Sequence, residues 1–64
     1  MATIDTKRIF IEMARQELTY GALSEMTGIK RQTLSMITNR GTCSPAYAGK
    51  IAKALGIDPS EIMQ

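Results

Sequence analysis

Leu18-Thr19-Tyr20-Gly21-Ala22-Leu23-Ser24-Glu25-Met26-Thr27-Gly28-Ile29-Lys30-Arg31-Gln32-Thr33-Leu34-Ser35-Met36-Ile37 holds two helical patterns with almost nothing between them. Thr19 is a good N-cap, because its hydroxyl can accept from a backbone N–H of the first turn. The spacing of Ala22, Leu23 and Met26 predicts a helix from Tyr20 to Thr27 with one apolar stripe. Gly28 follows at once, and glycine takes the left-handed conformation at a helix end cheaply. Ile29 is the hydrophobic residue after that turn. A further helix starts at Lys30 or Arg31 and runs to Asn39 or Arg40. Leu34 and Ile37 are its narrow apolar stripe, and Gly41 stops it. A joint this short forces the two helices to cross steeply, the geometry of a helix-turn-helix.

The flanks extend the same all-α pattern. A first helix is predicted from about Thr6 to Gln16, capped by Asp5 or Thr6, with Ile9, Phe10, Met13 and Ala14 as its inward stripe. Leu18 enters the core as the chain turns. Thr42-Cys43-Ser44 reads as a short polar loop. Ser44-Pro45 is a strong helix start, a capping serine followed by proline at the first helical position. The fourth helix, Pro45 to Leu55, buries Ala48, Ile51, Ala52 and Leu55 and ends at Gly56. Ile57 tucks in, and Asp58-Pro59 opens a last short helix to Met63 carrying Ile62. No alternating run reaches five residues, so no strand is predicted.

Size and composition narrow the function. A chain of 64 residues is one domain, residues 1–64, and buries only about 60% of its unfolded surface. That leaves no room for a core plus a large substrate cleft, so an enzyme is not expected. No apolar run approaches the roughly 18 residues of a membrane span, and the N-terminal Met1-Ala2-Thr3-Ile4-Asp5 lacks a signal-peptide apolar region. The single cysteine, Cys43, has no internal disulfide partner, and histidine is absent. Structural zinc and Cys-His nucleophilic chemistry are thereby excluded. The expectation is a cytoplasmic, cofactor-free module that works by binding and takes no small-molecule substrate.

The distribution of charge matters more than the net +2. Residues 1–25 carry Lys7, Arg8 and Arg15 against Asp5, Glu12, Glu17 and Glu25. Residues 26–57 carry Lys30, Arg31, Arg40, Lys50 and Lys53 and no acid at all. A stretch of one sign points to a polyanion, because each cation near a phosphate releases condensed counterions. A solvated surface that happens to lack acids is the bland alternative.

The free side of the third helix sharpens that reading. At roughly 100° per residue, Leu34 and Ile37 set the inward direction. The outward face then reads Arg31, Gln32, Ser35, Met36 and Asn39, with no carboxylate. Arginine can bond guanine O6 and N7 in pairs, glutamine can do the same with adenine, and methionine can meet a thymine methyl. Lys30 and Arg31 lie at the positive end of the helix dipole, where phosphate is attracted. Asn39, Arg40, Thr42 and Ser44 cluster at the following joint as phosphate donors, contacts that fix register without reading sequence. Met36 reads equally well as a partly buried gap-filler, and Tyr47 as an interface, core-edge or nucleic-acid residue. Lys50 and Lys53 read as solvated charge. Gly21 and Gly49, inside helices, each cost about 1 kcal/mol relative to alanine.

The segment Leu18 to Ile29 resembles the LTxxxLAxxxGI signature of the Cro/C1-type (XRE) helix-turn-helix family. Arg31 to Ile37 looks like that family's recognition helix, and Ile51-Ala52-Lys53-Ala54-Leu55-Gly56-Ile57-Asp58-Pro59 is similar to its fourth-helix ending. The likeness spans residues 6 to 63. It implies a compact five-helix, lambda-repressor-like domain with the helix-turn-helix formed by helices two and three. It also implies a homodimer that binds a palindromic double-stranded DNA operator and represses or switches transcription. By position, Arg31, Gln32 and Met36 fall on the family's base-reading sites, with Lys30 and Ser35 beside them. Tyr20 and Asn39 fall on its phosphate-contacting sites. Tyr20 stands where glutamine is frequent, so its phosphate contact comes from a phenol hydroxyl or is lost. Ser24 replaces a typical alanine, and Ala48 and Gly49 replace larger residues. Dimerisation is expected through helix four, the last helix or the Met63–Gln64 end, or on DNA only. A chain this short fits a small phage-type regulator and equally the N-terminal domain of a longer repressor. The competing class is a protein-interaction module of the same fold, of the antitoxin or anti-repressor type.

Overall fold

A computed structural model describes residues 1–64 in full. Its element order is β1 (Ala2–Thr3), α1 (Thr6–Arg15), α2 (Tyr20–Thr27), α3 (Arg31–Arg40), β2 (Thr42–Cys43), α4 (Pro45–Leu55) and a closing 3₁₀ turn (Pro59–Glu61). The capping predicted from sequence holds. Asp5 accepts from the Arg8 N–H, Thr19 from Ala22 and Ser44 from Tyr47, each satisfying a donor that the helix leaves unpaired. Gly28, at φ 75°, ends α2 in the left-handed conformation and donates its N–H to the Ser24 carbonyl.

One core cluster joins the four α-helices and β2. Ile9, Leu23, Leu34, Ala48, Ile51, Leu55 and Ile62 are buried in it, and α2 packs on both α3 and α4. The joint between α2 and α3 is locked by hydroxyls. Ser24 Oγ donates to the Ile29 carbonyl, while Thr27 Oγ1 donates to the Leu23 carbonyl at 2.8 Å and accepts from the Ile29 N–H at 3.1 Å. Ile29 itself is buried. The serine at 24 therefore has a task that alanine would leave undone: it satisfies a turn carbonyl.

Four expectations are corrected. The strandless reading fails, because β1 pairs antiparallel with β2, Ala2 opposite Cys43 and Thr3 opposite Thr42, and Ile4 bridges to Met63. Two-residue strands are too short to show alternation, and their pairing joins segments distant in the chain that meet only in the folded state. The polar loop Thr42-Cys43-Ser44 is thus partly strand, with Cys43 buried.

The fifth helix is a single 3₁₀ turn, leaving four α-helices. Asp58 and Glu61 form a capping box around the turn, and after Ile62 the backbone departs to bridge with Ile4.

In α1, Phe10 and Ala14 face outward while Glu12 is buried beside Ile9 and Met13. Glu12 tolerates this because Arg8 Nε lies 3.1 Å and an Arg15 guanidinium nitrogen 3.3 Å from its carboxylate; a buried charge must be paired. Arg8 also reaches Glu61 at 2.7 Å, tying α1 to the closing turn.

In α2, Met26 is half exposed and does not join the core. Leu23 is the only buried side chain of that helix.

Candidate nucleic-acid interface

α3 is held from behind by Leu34 and Ile37, both buried as their spacing predicts, and by Thr38, which the apolar pattern missed. Thr38 Oγ1 contacts the carbonyls of Leu34 and Ser35 at 3.1 and 3.0 Å, and Tyr20 Oη at 2.7 Å. If the Thr38 proton goes to its own helix, the Tyr20 proton goes to Thr38; either hydroxyl can be the donor. The bond braces the start of α2 against the back of α3. With Tyr20 as the donor, the bond occupies the one proton with which Tyr20 would bond a phosphate; with Thr38 as the donor, that proton is free.

The opposite side of α3 is open. Arg31, Gln32, Met36, Asn39 and Arg40 are exposed, Ser35 is half-buried, and Met36 is 53% accessible. Lys30, exposed at the N-cap, makes no capping bond, so the first N–H groups of α3 have no side-chain acceptor. The aliphatic part of Arg31 runs beside Gly21: a Cβ there would lie 3.6 Å from Arg31 Cδ, an ordinary contact. Arg31 and Glu25 border the same shallow polar groove between α2 and α3, yet no ion pair joins them. The molecule's three ion pairs all involve Glu12 or Glu61. Lys30, Arg31 and Arg40 thus present unpaired charge.

Past α3, Gly41 turns the chain at φ 79° into β2. Thr42 is half-buried, and Ser44 accepts from the Tyr47 N–H at 3.2 Å, which leaves its own hydroxyl proton free to donate. Asn39, Arg40, Thr42 and Ser44 are thereby gathered around one tight corner that β1 pins from the inside. Sequence reasoning missed the cavity beside them. It measures about 230 Å³, lies between α3 and the start of α4, and is walled by Met1, Met36, Ile37, Cys43 and Tyr47 with Arg40 among its lining residues. Burial pushes the Cys43 thiol above its usual pKa, and a backbone hydrogen bond from Ala48 offsets this in part. The thiol is protonated at neutral pH. Lys50 sits 5.8 Å from the Tyr47 ring centroid, so its charge is partly engaged by the aromatic face and not only solvated.

A family model described as helix-turn-helix matches residues 11–62, and the chain belongs to the Cro/C1-type (XRE) helix-turn-helix family of DNA-binding regulators. The match covers both helices on either side of Gly28, the whole of α3 and the corner after it. No significant match to the chain was found among curated proteins or among solved structures. No helix is long and apolar enough to cross a membrane.

Proposed function

We propose that the chain is a sequence-specific repressor that binds double-stranded DNA by laying α3 in the major groove. In this reading α2 and α3 form the helix-turn-helix unit, and residues 1–64 act as one domain. Lys30, Arg31, Gln32, Ser35 and Met36 meet base edges, Arg31 and Gln32 through paired hydrogen bonds. Asn39, Arg40, Thr42 and Ser44 hold the backbone and fix register. Tyr20 joins the phosphate set through its phenol proton, either by releasing Thr38 or by accepting from it. The protein acts as a homodimer on a palindromic operator, without cofactor or catalysis, in the cytoplasm. The observation that carries the reading is the exposed, acid-free face of α3, whose cations have no carboxylate partner within the chain.

Selection of bound sites from a random DNA pool, followed by salt titration, tests it. The expected product is a two-fold symmetric site whose affinity falls steeply with salt. Gln32→Ala is expected to cost about 1–3 kcal/mol at one base pair and relax specificity there. Weak, salt-insensitive binding that ignores Arg31→Ala and Gln32→Ala would overturn the reading and favour a protein-binding module.

A further inference from the structure

Three of the six large hydrophobic side chains that the fold leaves exposed stand around one hollow. Met1 is 84%, Met36 53% and Tyr47 36% accessible. The hollow is the cavity of about 230 Å³ between α3 and the start of α4. The strand pair shapes it. Pairing of Ala2 with Cys43 makes Met1 one wall and the buried Cys43 another. Two of the exposed walls are methionines, whose flexible thioethers adapt to whatever lies against them. A cavity of roughly 150 Å³ lined by apolar side chains holds benzene, so this one has room for an aromatic ring with a short substituent.

The polar part of the lining has one sign of charge. Arg40 supplies a guanidinium, Thr33, Thr42 and Ser44 supply hydroxyls, and no carboxylate faces the cavity. Arg40 takes part in no ion pair. A second cation, Lys50, lies 5.8 Å from the centroid of the Tyr47 ring. An apolar hollow with a few converging polar groups is the usual form of a small-molecule site. Here the only charge among those groups is positive.

We propose that this cavity binds a small carboxylate with an apolar body, and that its occupancy releases DNA. The hydrocarbon part lies against Met36, Cys43 and Tyr47, and the carboxylate pairs with Arg40. A cationic ligand finds no partner in the cavity, and a purely apolar one leaves Arg40 unused. Met36, Arg40, Thr42 and Ser44 are also the residues assigned above to DNA contact. Ligand and DNA therefore compete for them, and each lowers the other's affinity by the same factor. That consequence rests on the function proposed above; the site itself does not.

Nuclear magnetic resonance of the isotope-labelled chain without DNA tests the site. Phenylacetate is the probe, at fixed ionic strength, with phenylethanol and phenethylamine as its neutral and cationic counterparts. Phenylacetate is expected to give saturable shifts centred on Met36, Cys43 and Tyr47, with a Kd on the order of 1 mM. Phenylethanol, which lacks the charge-assisted bond, is expected to bind about tenfold more weakly, and phenethylamine not at all. Arg40→Gln is expected to bring phenylacetate down to the level of phenylethanol. Cys43→Leu, which fills the cavity from within, is expected to abolish binding of both. Should Cys43→Leu unfold, as read by circular dichroism, Arg40→Gln still decides, because Arg40 is exposed. Absence of saturable binding, equal binding of the three probes, or phenylacetate binding indifferent to Arg40→Gln overturns the proposal.

Competition is read on a selected DNA site. Phenylacetate at about ten times its Kd is expected to weaken DNA binding roughly tenfold relative to the same concentration of acetate. Cavity binding that leaves DNA affinity unchanged overturns the release of DNA. A chain that binds phenylacetate but no DNA upholds the site and overturns the function proposed above.

Discussion

α1 and α3 have the same length, ten residues, and each ends on an arginine. In α1 the arginines are tied inward. Arg8 and Arg15 converge on the buried Glu12, and Arg8 continues to Glu61. In α3 and its N-cap, Lys30, Arg31 and Arg40 have no carboxylate partner, and the buried side is made of Leu34, Ile37 and a hydroxyl, Thr38. Both helices are amphipathic, but one closes its charge on the fold and the other presents it outward. The lesson is that counting cations says little: what separates an arginine spent on the fold from one left free is whether an acid stands within reach.

Five substitutions sharpen or break that contrast. The largest effect is expected from Leu34→Ala, which removes the fully buried pin of α3. A loss of about 3 kcal/mol consumes much of a small domain's stability, so folding and DNA binding are expected to fail together in a denaturant titration. Next comes a paired test. Arg8→Ala is expected to cost about 1–1.5 kcal/mol and lower Tm by roughly 5–10 °C, with half-site affinity unchanged. Arg40→Ala is expected to leave Tm in place, weaken binding to all sequences alike and reduce the salt slope by about one. If the two substitutions exchange behaviour, the contrast is wrong.

Ser24→Ala is expected to cost about 1 kcal/mol, the net worth of one hydrogen bond lost from a turn, and is read from the shift in denaturant midpoint. It also checks whether Ser24 supports the joint or merely fills it. The smallest effect concerns pH. The Asp58 carboxyl is held below its ordinary value, first by the Ser60 hydroxyl and then by the Ser60 N–H. A lowered folded-state pKa stabilises the fold above the ordinary carboxylate value, and the gain is lost as pH falls through the lowered one. The drop in Tm between neutral and strongly acidic pH is therefore expected to be smaller in Asp58→Asn than in the wild type.

The four α-helices and the caps Thr19, Ser44 and Asp58 were legible because they depend on contacts two to four residues apart. The outward set on α3 was legible for the same reason: two buried aliphatics fix the rotation of a ten-residue helix. α1 was misread by one facet. Ile9 and Met13 admit either Phe10 or Glu12 as the third inward residue, and hydrophobicity favours Phe10. Three charges decide otherwise, since Arg8 and Arg15 make burial of Glu12 tolerable. The brace between Tyr20 and Thr38 was equally hidden, because its partners lie eighteen residues apart.

The sequence by itself determined where helices begin and stop, the tight joint at Gly28-Ile29 and the absence of acid from the exposed face of α3. These follow from backbone conformation, capping and helical periodicity, which act within a turn or two. Only the tertiary structure decided which side of α1 is buried, that residues 2–3 and 42–43 pair as strands, and that the chain end bonds back to Thr3 through the Gln64 N–H. Each of those outcomes needs a partner distant in the chain, and a backbone donor or a buried carboxylate accepts whichever partner the folded core brings within reach.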